Sequence, residues 1–144
     1  MPEINGIAHI QLTVSDMKRS VPFYETLLHA LGMVTLFNTP EMFYCIGGRT
    51  GVAISPASRE HLRDSFVQRR VGLHHLCFRA KTRDDVDAVH VVAQSLGAGV
   101  VHPPREDDWA PGYYSVLFED PDGIRIEANH VPGKGHLADH GNAG

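Results

Sequence analysis

One succession of elements occurs twice in this chain, and a duplication on that scale leaves few folds open. The stretches AHIQLTV (residues 8–14) and HHLCFRA (74–80) both alternate apolar and polar side chains, the period of a half-buried strand. Ile10, Leu12 and Val14 share one face of the first strand, leaving His9, Gln11 and Thr13 opposite. Leu76, Phe78 and Ala80 share one face of the second, leaving His75, Cys77 and Arg79 opposite. Each strand leads into a helix. In the first, Ser20 is the expected N-cap, because Pro22 suits a first turn in which its missing N–H costs nothing. Phe23 or Tyr24, Leu27, Leu28 and Leu31 form the expected buried stripe, and Gly32 ends the helix. In the second, Thr82 with Asp85 forms a capping-box start, Val86, Val89, Ala93 and Leu96 recur at helical spacing, and Gly97 closes it. From His9 to Gly32 is 23 residues, and from His75 to Gly97 is 22.

Each half then continues into three short strands. These are MVTLFN, MFYCIGG and GVAISP in the first half, and GVVHPP, YYSVLFED and GIRIEANH in the second. The pattern is βαβββ twice, an α+β arrangement, and a repeat at a fixed period is read as one architecture. At 144 residues the chain has room for one ordinary domain. The expected organisation is therefore a single domain over 1–144. It comprises a module at 5–56, a linker with a short helix at 57–72, a second module at 73–130 and a flexible tail at 131–144.

Bulk properties exclude several partners. A net charge of −4 without a long basic run argues against nucleic acid and against an anionic membrane surface. Arg59, Arg63, Arg69 and Arg70 are the nearest thing to a basic cluster, and a solvated linker accounts for them. No stretch approaches the ~20 apolar residues that span a bilayer. The start, MPEING, has no secretion-signal pattern, and two cysteines make no disulfide framework, so the expected compartment is the reducing cytoplasm.

Two strands that each open their polar face with a histidine are the functional clue. In GIRIEANH, Arg125, Glu127 and Asn129 share the polar face, and a tight turn with Pro121 and Gly123 precedes it. If the halves superpose, His9 matches His75, Gly123 matches Gly51, and Glu127 matches Ser55. Two imidazoles and a carboxylate meeting at one point suit a divalent transition metal. With Ser55 a poor fourth ligand, open coordination positions would remain, as in a catalytic site.

The stretches AHIQLTVSD with the following FY and LG, HHLCFRA leading to VD and LGA, and YYSVLFEDPDGIRIEANH carry a family resemblance over residues of about 5 to 130. The chain resembles the vicinal oxygen chelate superfamily, which includes glyoxalase I, extradiol dioxygenases, fosfomycin-resistance enzymes, methylmalonyl-CoA epimerase and bleomycin-binding proteins. The resemblance implies paired βαβββ modules forming an open, cup-shaped mixed sheet with helices outside, and a homodimer. It places metal ligands at His9, His75 and Glu127. His74 is the competing choice in the double histidine, and HxCF aligns with HxQL only through His75.

Departures from the family's patterns narrow the activity. Glyoxalase I enzymes carry a ligand at the position of Ser55, and the epimerases also use four protein ligands. Fosfomycin-modifying enzymes share the His, His, Glu set, but they carry threonine where Gln11 stands and tyrosine where Leu117 stands. Extradiol dioxygenases use the same set for Fe(II) and usually have four modules. Bleomycin-binding relatives lack the ligands. The resemblance thus implies a metal-dependent lyase, isomerase, thiol transferase or dioxygenase. It would use Fe, Mn, Zn or Ni as a Lewis acid on a small oxygenated substrate. The alternative is a non-catalytic small-molecule-binding or antibiotic-sequestering protein of the same fold. No catalytic acid or base is assigned. The expected pocket residues are Gln11, Tyr44, Ser55, Cys77 and Arg125, with Trp109, Tyr113 and Tyr114 from the loop REDDWAPGYYSV as apolar walls with polar tips.

Overall fold

The computed structural model describes residues 1–135, so positions 136–144 of the expected tail lie outside the described residues. The chain divides into two compact units, Met1–Ser65 and Phe66–Gly144. Each unit is built as βαβββ, and the fold is α+β with two open, mixed sheets.

In the first unit, β1 (His9–Val14) is followed by α1 (Met17–Ala30), β2 (Val34–Thr39), β3 (Met42–Gly47) and β4 (Thr50–Pro56). The sheet order is β1-β4-β3-β2, with β4 parallel to β1 and antiparallel to β3. Alternation sorts the side chains as the sequence predicts. Leu12, Val14, Phe43, Cys45, Val52 and Ile54 are buried on one face, and α1 covers it with Phe23, Tyr24, Leu27 and Leu28. Full burial of such a side chain contributes roughly 1.5–3 kcal/mol, so this face holds the unit together. His9, Gln11 and Thr13 are exposed on the opposite, uncovered face.

The start of α1 corrects the sequence reading. Asp16, not Ser20, is the N-cap, and its carboxylate accepts the Lys18 N–H at 2.9 Å. Pro22 stands inside the helix. Its missing N–H leaves the Lys18 carbonyl without a helical donor. Both residues lie on the exposed side of the helix, where that carbonyl is open to solvent. Ser20 is fully buried, and its hydroxyl has no hydrogen-bond partner. The end follows expectation: Gly32 adopts φ +81°, and the Met33 N–H returns to the Leu28 carbonyl.

The segment between the modules contains a single 3-10 turn, Arg59–His61. The second unit runs β5 (Leu76–Arg79), α2 (Arg83–Ser95), β6 (Gly99–Asp107), β7 (Tyr113–Glu119) and β8 (Arg125–His130), in sheet order β5-β8-β7-β6. Thr82 and Asp85 form the full capping box of α2, and Val86, Val89 and Ala93 are its buried stripe. At the β7–β8 turn, Asp120 accepts the N–H groups of Asp122 and Ile124 at 2.8 Å each, and Gly123 supplies φ +85°. That turn fixes the register of β8.

The registers refine the internal equivalence. Gln11 lies opposite Ala53, whereas Cys77, its counterpart, lies opposite Glu127. Glu127 therefore corresponds to Ala53 and not, as the sequence alone implied, to Ser55. Ser55 pairs with Thr13 one step further along. One irregularity repeats, the β2–β3 register shifting at Leu36 and the β6–β7 register at Val101, and β6–β7 shifts again between His102 and Arg105.

Candidate metal centre

The second unit's uncovered face holds two of the expected ligands, His75 and Glu127. Because β5 pairs in parallel with β8, Cys77 lies beside Glu127, and Leu117 flanks Glu127 on β7. Glu127 is only 9% exposed, and a buried carboxylate requires partners. It has two. Tyr113 donates its hydroxyl to Glu127 Oε1, and His75 Nε2 stands 3.0 Å from Oε2. His75 lies immediately before β5, and its neighbour His74 approaches it from behind, with 2.8 Å between the two Nδ1 atoms.

These neighbours shift one another. Desolvation, reinforced by the adjacent Glu127 carboxylate, pushes the Cys77 thiol well above its ordinary range. Desolvation and the bond to Glu127 push the Tyr113 phenol upward in the same way. Both groups stay protonated at neutral pH.

His75 Nε2 and Glu127 Oε2 are at hydrogen-bond or ion-pair distance. Two donors at right angles on one octahedral ion at about 2.1 Å would stand about 3.0 Å apart as well. Neutral imidazole with one carboxylate is also the donor set of borderline metals. Within either unit, among the described residues, no three His, Cys, Asp or Glu side chains gather closely enough to hold a metal. The pair thus offers two protein donors by itself.

In the first unit, His9 occupies on β1 the place equivalent to His75, exposed on the uncovered face opposite Gly51. Gln11 donates to Ser55 Oγ at 3.1 Å, so these two expected pocket residues satisfy each other. Tyr44 lies on the same face of β3, stacked on Phe37 with ring centroids 6.0 Å apart and its ring across Gly51, where any larger residue would collide with it. Ala53, at the position equivalent to Glu127, has no donor, so the first unit adds no fourth ligand there.

The remaining expected pocket residues divide. Arg125 shares the face of Glu127 but pairs with Glu119 at 2.9 Å. Trp109 is 75% exposed in the β6–β7 loop. Tyr114 lies elsewhere than expected. Alternation along β7 turns it to the helix side, where it donates to Asp87 at 2.7 Å and Arg83 sits over its ring. Of the two adjacent tyrosines, only Tyr113 reaches Glu127. Sequence reasoning missed His102, which β6 pairing places in the same row as Leu117 and Glu127. The register shift at Val101 sets that placement, and no sequence signal marks it. It also missed Gln68, whose amide nitrogen is 3.3 Å from His74 Nδ1.

The model of the Glyoxalase/Bleomycin resistance protein/Dioxygenase superfamily matches residues 6–128. The chain is 31% identical over 120 residues to the uncharacterized protein YqjT of Bacillus subtilis (strain 168), spanning 83% of this chain and 94% of YqjT. It is 27% identical over 129 residues to the metallothiol transferase FosB of Shouchella clausii (strain KSM-K16), spanning 88% of this chain and 80% of FosB. Among solved structures, the glyoxylase/bleomycin resistance protein/dioxygenase domain from Frankia sp. EAN1pec matches with a TM-score of 0.72 at 23% identity, covering 89% of this chain and 98% of that one. By its duplicated βαβββ fold and by a family match over nearly its whole length, this chain belongs to the glyoxalase/bleomycin resistance protein/dioxygenase superfamily.

Proposed function

We propose that the chain is a metal-dependent enzyme acting on a small oxygenated substrate, with His75, Glu127 and His9 as the protein ligands. The observation that carries this reading is the His75–Glu127 pair, spaced as adjacent ligands are and braced by Tyr113. His9 completes the set because it holds the place in the first unit that His75 holds in the second. A divalent ion (Fe, Mn, Zn or Ni) bound there would act as a Lewis acid toward a substrate oxygen. The chain's own residues do the rest. Tyr113 fixes the orientation of Glu127 and retains its proton, while Gln11 and Cys77 present polar groups one step along the strands. Ala53 leaves no fourth protein ligand, which keeps room for substrate.

The likeness to a metallothiol transferase supports the metal-dependent reading and makes thiol transfer the first of the superfamily's reactions to assay. We place the protein in the cytoplasm as a homodimer, its main partner a small molecule. No helix of the described residues is long and apolar enough to cross a membrane.

The test is metal content. Untagged protein, dialysed and analysed for divalent metals, is expected to hold stoichiometric metal that disappears in Glu127→Ala. An equally empty wild type would overturn the proposal. Thermal stabilisation by a small ligand that ignores a chelator would favour the sequestering alternative.

A further inference from the structure

We propose that the uncovered face of the first unit holds a pocket for a small aromatic carboxylate, with Arg49 as the residue that takes the acid group. This names a substrate class for the enzyme described above, and it rests on that reading for the occupant's role but not for the binding itself. A hollow of about 450 Å³ opens where β3 turns into β4. Small-molecule sites span roughly 300–1,000 Å³. Val34, Tyr44 and Ile46 give the hollow an apolar floor, and Ala8, Arg49 and Thr50 stand around it. Alternation along β3 sends Phe43 and Cys45 into the core, which leaves Tyr44 and Ile46 on the face that no helix covers. The hollow adjoins His9, because His9, Gly51, Ile46 and Val34 occupy one row across β1, β4, β3 and β2.

Local structure shapes this hollow. Gly51 has no side chain, and the Tyr44 ring lies over it in the space a larger residue would fill. Phe37 stacks on Tyr44 from β2 and extends the apolar platform. The wall at Ala8 is pinned twice: the Thr50 hydroxyl donates to the Ile7 carbonyl at 3.0 Å, and the Gly51 N–H donates to the Ala8 carbonyl at 2.8 Å. Gly48 and Arg49 are the central residues of the β3–β4 turn, and both have positive φ, +57° and +65°. Glycine or asparagine suits the second of these positions, whereas arginine is strained there. Arg49 is the one non-glycine residue with positive φ among the described residues. Its guanidinium also lacks a counter-charge. Arg83, Arg105 and Arg125 pair with Glu106, Asp107 and Glu119, but among the described residues no carboxylate pairs with Arg49. Strain held at the rim of a hollow points to a role in binding rather than in folding. A carboxylate meets the guanidinium fork with two parallel hydrogen bonds, and a flat ring meets the face of Tyr44.

The experiment compares two probes on the full chain, 2-naphthoate and 2-naphthalenemethanol, which share their rings and differ in charge. Calorimetric titrations are run with EDTA present, so that a metal ion cannot hold the carboxylate instead. The wild type is expected to bind 2-naphthoate about 10–100-fold more tightly than the alcohol, the worth of a hydrogen bond to a charged group. Arg49→Gly is expected to remove that preference and to keep the wild-type melting temperature, because glycine accepts the left-handed backbone. Arg49→Lys retains the charge without the fork and should fall between the two. Tyr44→Ala should weaken both probes by a similar factor. Equal affinity of the wild type for the two probes, or a preference that survives Arg49→Gly, overturns the proposal and leaves the metal centre standing. A chain that takes up no divalent metal yet selects 2-naphthoate through Arg49 overturns the metal reading instead and keeps the pocket.

Discussion

At the scale of single residues, the proposed centre is a problem of where negative charge is tolerated. Glu127 is 9% exposed, with the Tyr113 hydroxyl on one oxygen and His75 Nε2 at 3.0 Å from the other. Desolvation, reinforced by the Glu127 carboxylate beside them, raises the Cys77 and Tyr113 pKa values from ordinary values of 9.0 and 10.0. The sign follows. The folded protein holds these protons more tightly than the unfolded chain does. Their contribution to stability is complete below the ordinary values and is lost as pH climbs from about 9 toward the raised ones. Urea midpoints measured across this range should fall with pH in the wild type and fall less steeply in Tyr113→Phe and Cys77→Ser. Parallel curves for all three would contradict the assignment. Much of this was legible in the sequence. Strand alternation chose His75 over His74 and put Cys77, Arg125 and Glu127 on one face. It could not say that Arg125 would pair with Glu119, because that pairing depends on the register of β7 against β8. Tyr113 and Tyr114 were read as equals, and only the phase of β7 separates them.

At the scale of elements, the two helices record what local sequence does and does not encode. Thr82, Asp85 and Gly97 delimit α2 at the expected positions, because a capping box and a left-handed glycine are local signals. The start of α1 was misplaced because Pro22 was read as marking a first turn. A proline on the exposed side of a helix costs less than that inference assumed, since the orphaned carbonyl is open to solvent. The difference has energetic consequences that run in opposite directions. Thr82→Ala removes a cap and is expected to cost about 1 kcal/mol. Ser20→Ala removes a buried hydroxyl that has no partner, and it is expected to stabilise by about 1 kcal/mol. Chemical denaturation of the two variants should move the midpoint down and up respectively. A loss of stability in Ser20→Ala would mean that Ser20 has a cap-like role after all.

At the scale of the whole molecule, the duplication was readable because both halves repeat the same element order. The equivalence of Glu127 and Ala53 was not readable, because it needs the register of parallel strands far apart in sequence. The same comparison of halves exposes a difference at their outer edges. β6 closes its sheet with Pro103, Pro104 and the charged run Arg105, Glu106 and Asp107, the usual protection of an edge strand. β2 holds the equivalent edge with VTLFNT, which contains no charge and no proline, and all six of its residues are exposed. Val34, Leu36 and Phe37 are 61%, 51% and 50% exposed, three large apolar residues within four positions of an open edge. Such an edge invites another strand or surface to cover it, and in the homodimer proposed above a second copy would do so. Sedimentation equilibrium at micromolar protein is expected to give a two-chain mass for the wild type. Leu36→Lys places a charge in the middle of the run and should shift that mass toward one chain while leaving the circular dichroism spectrum unchanged. A wild type that sediments as a single chain, or a Leu36→Lys variant that keeps the full dimer mass, would show that this edge does not mediate self-association.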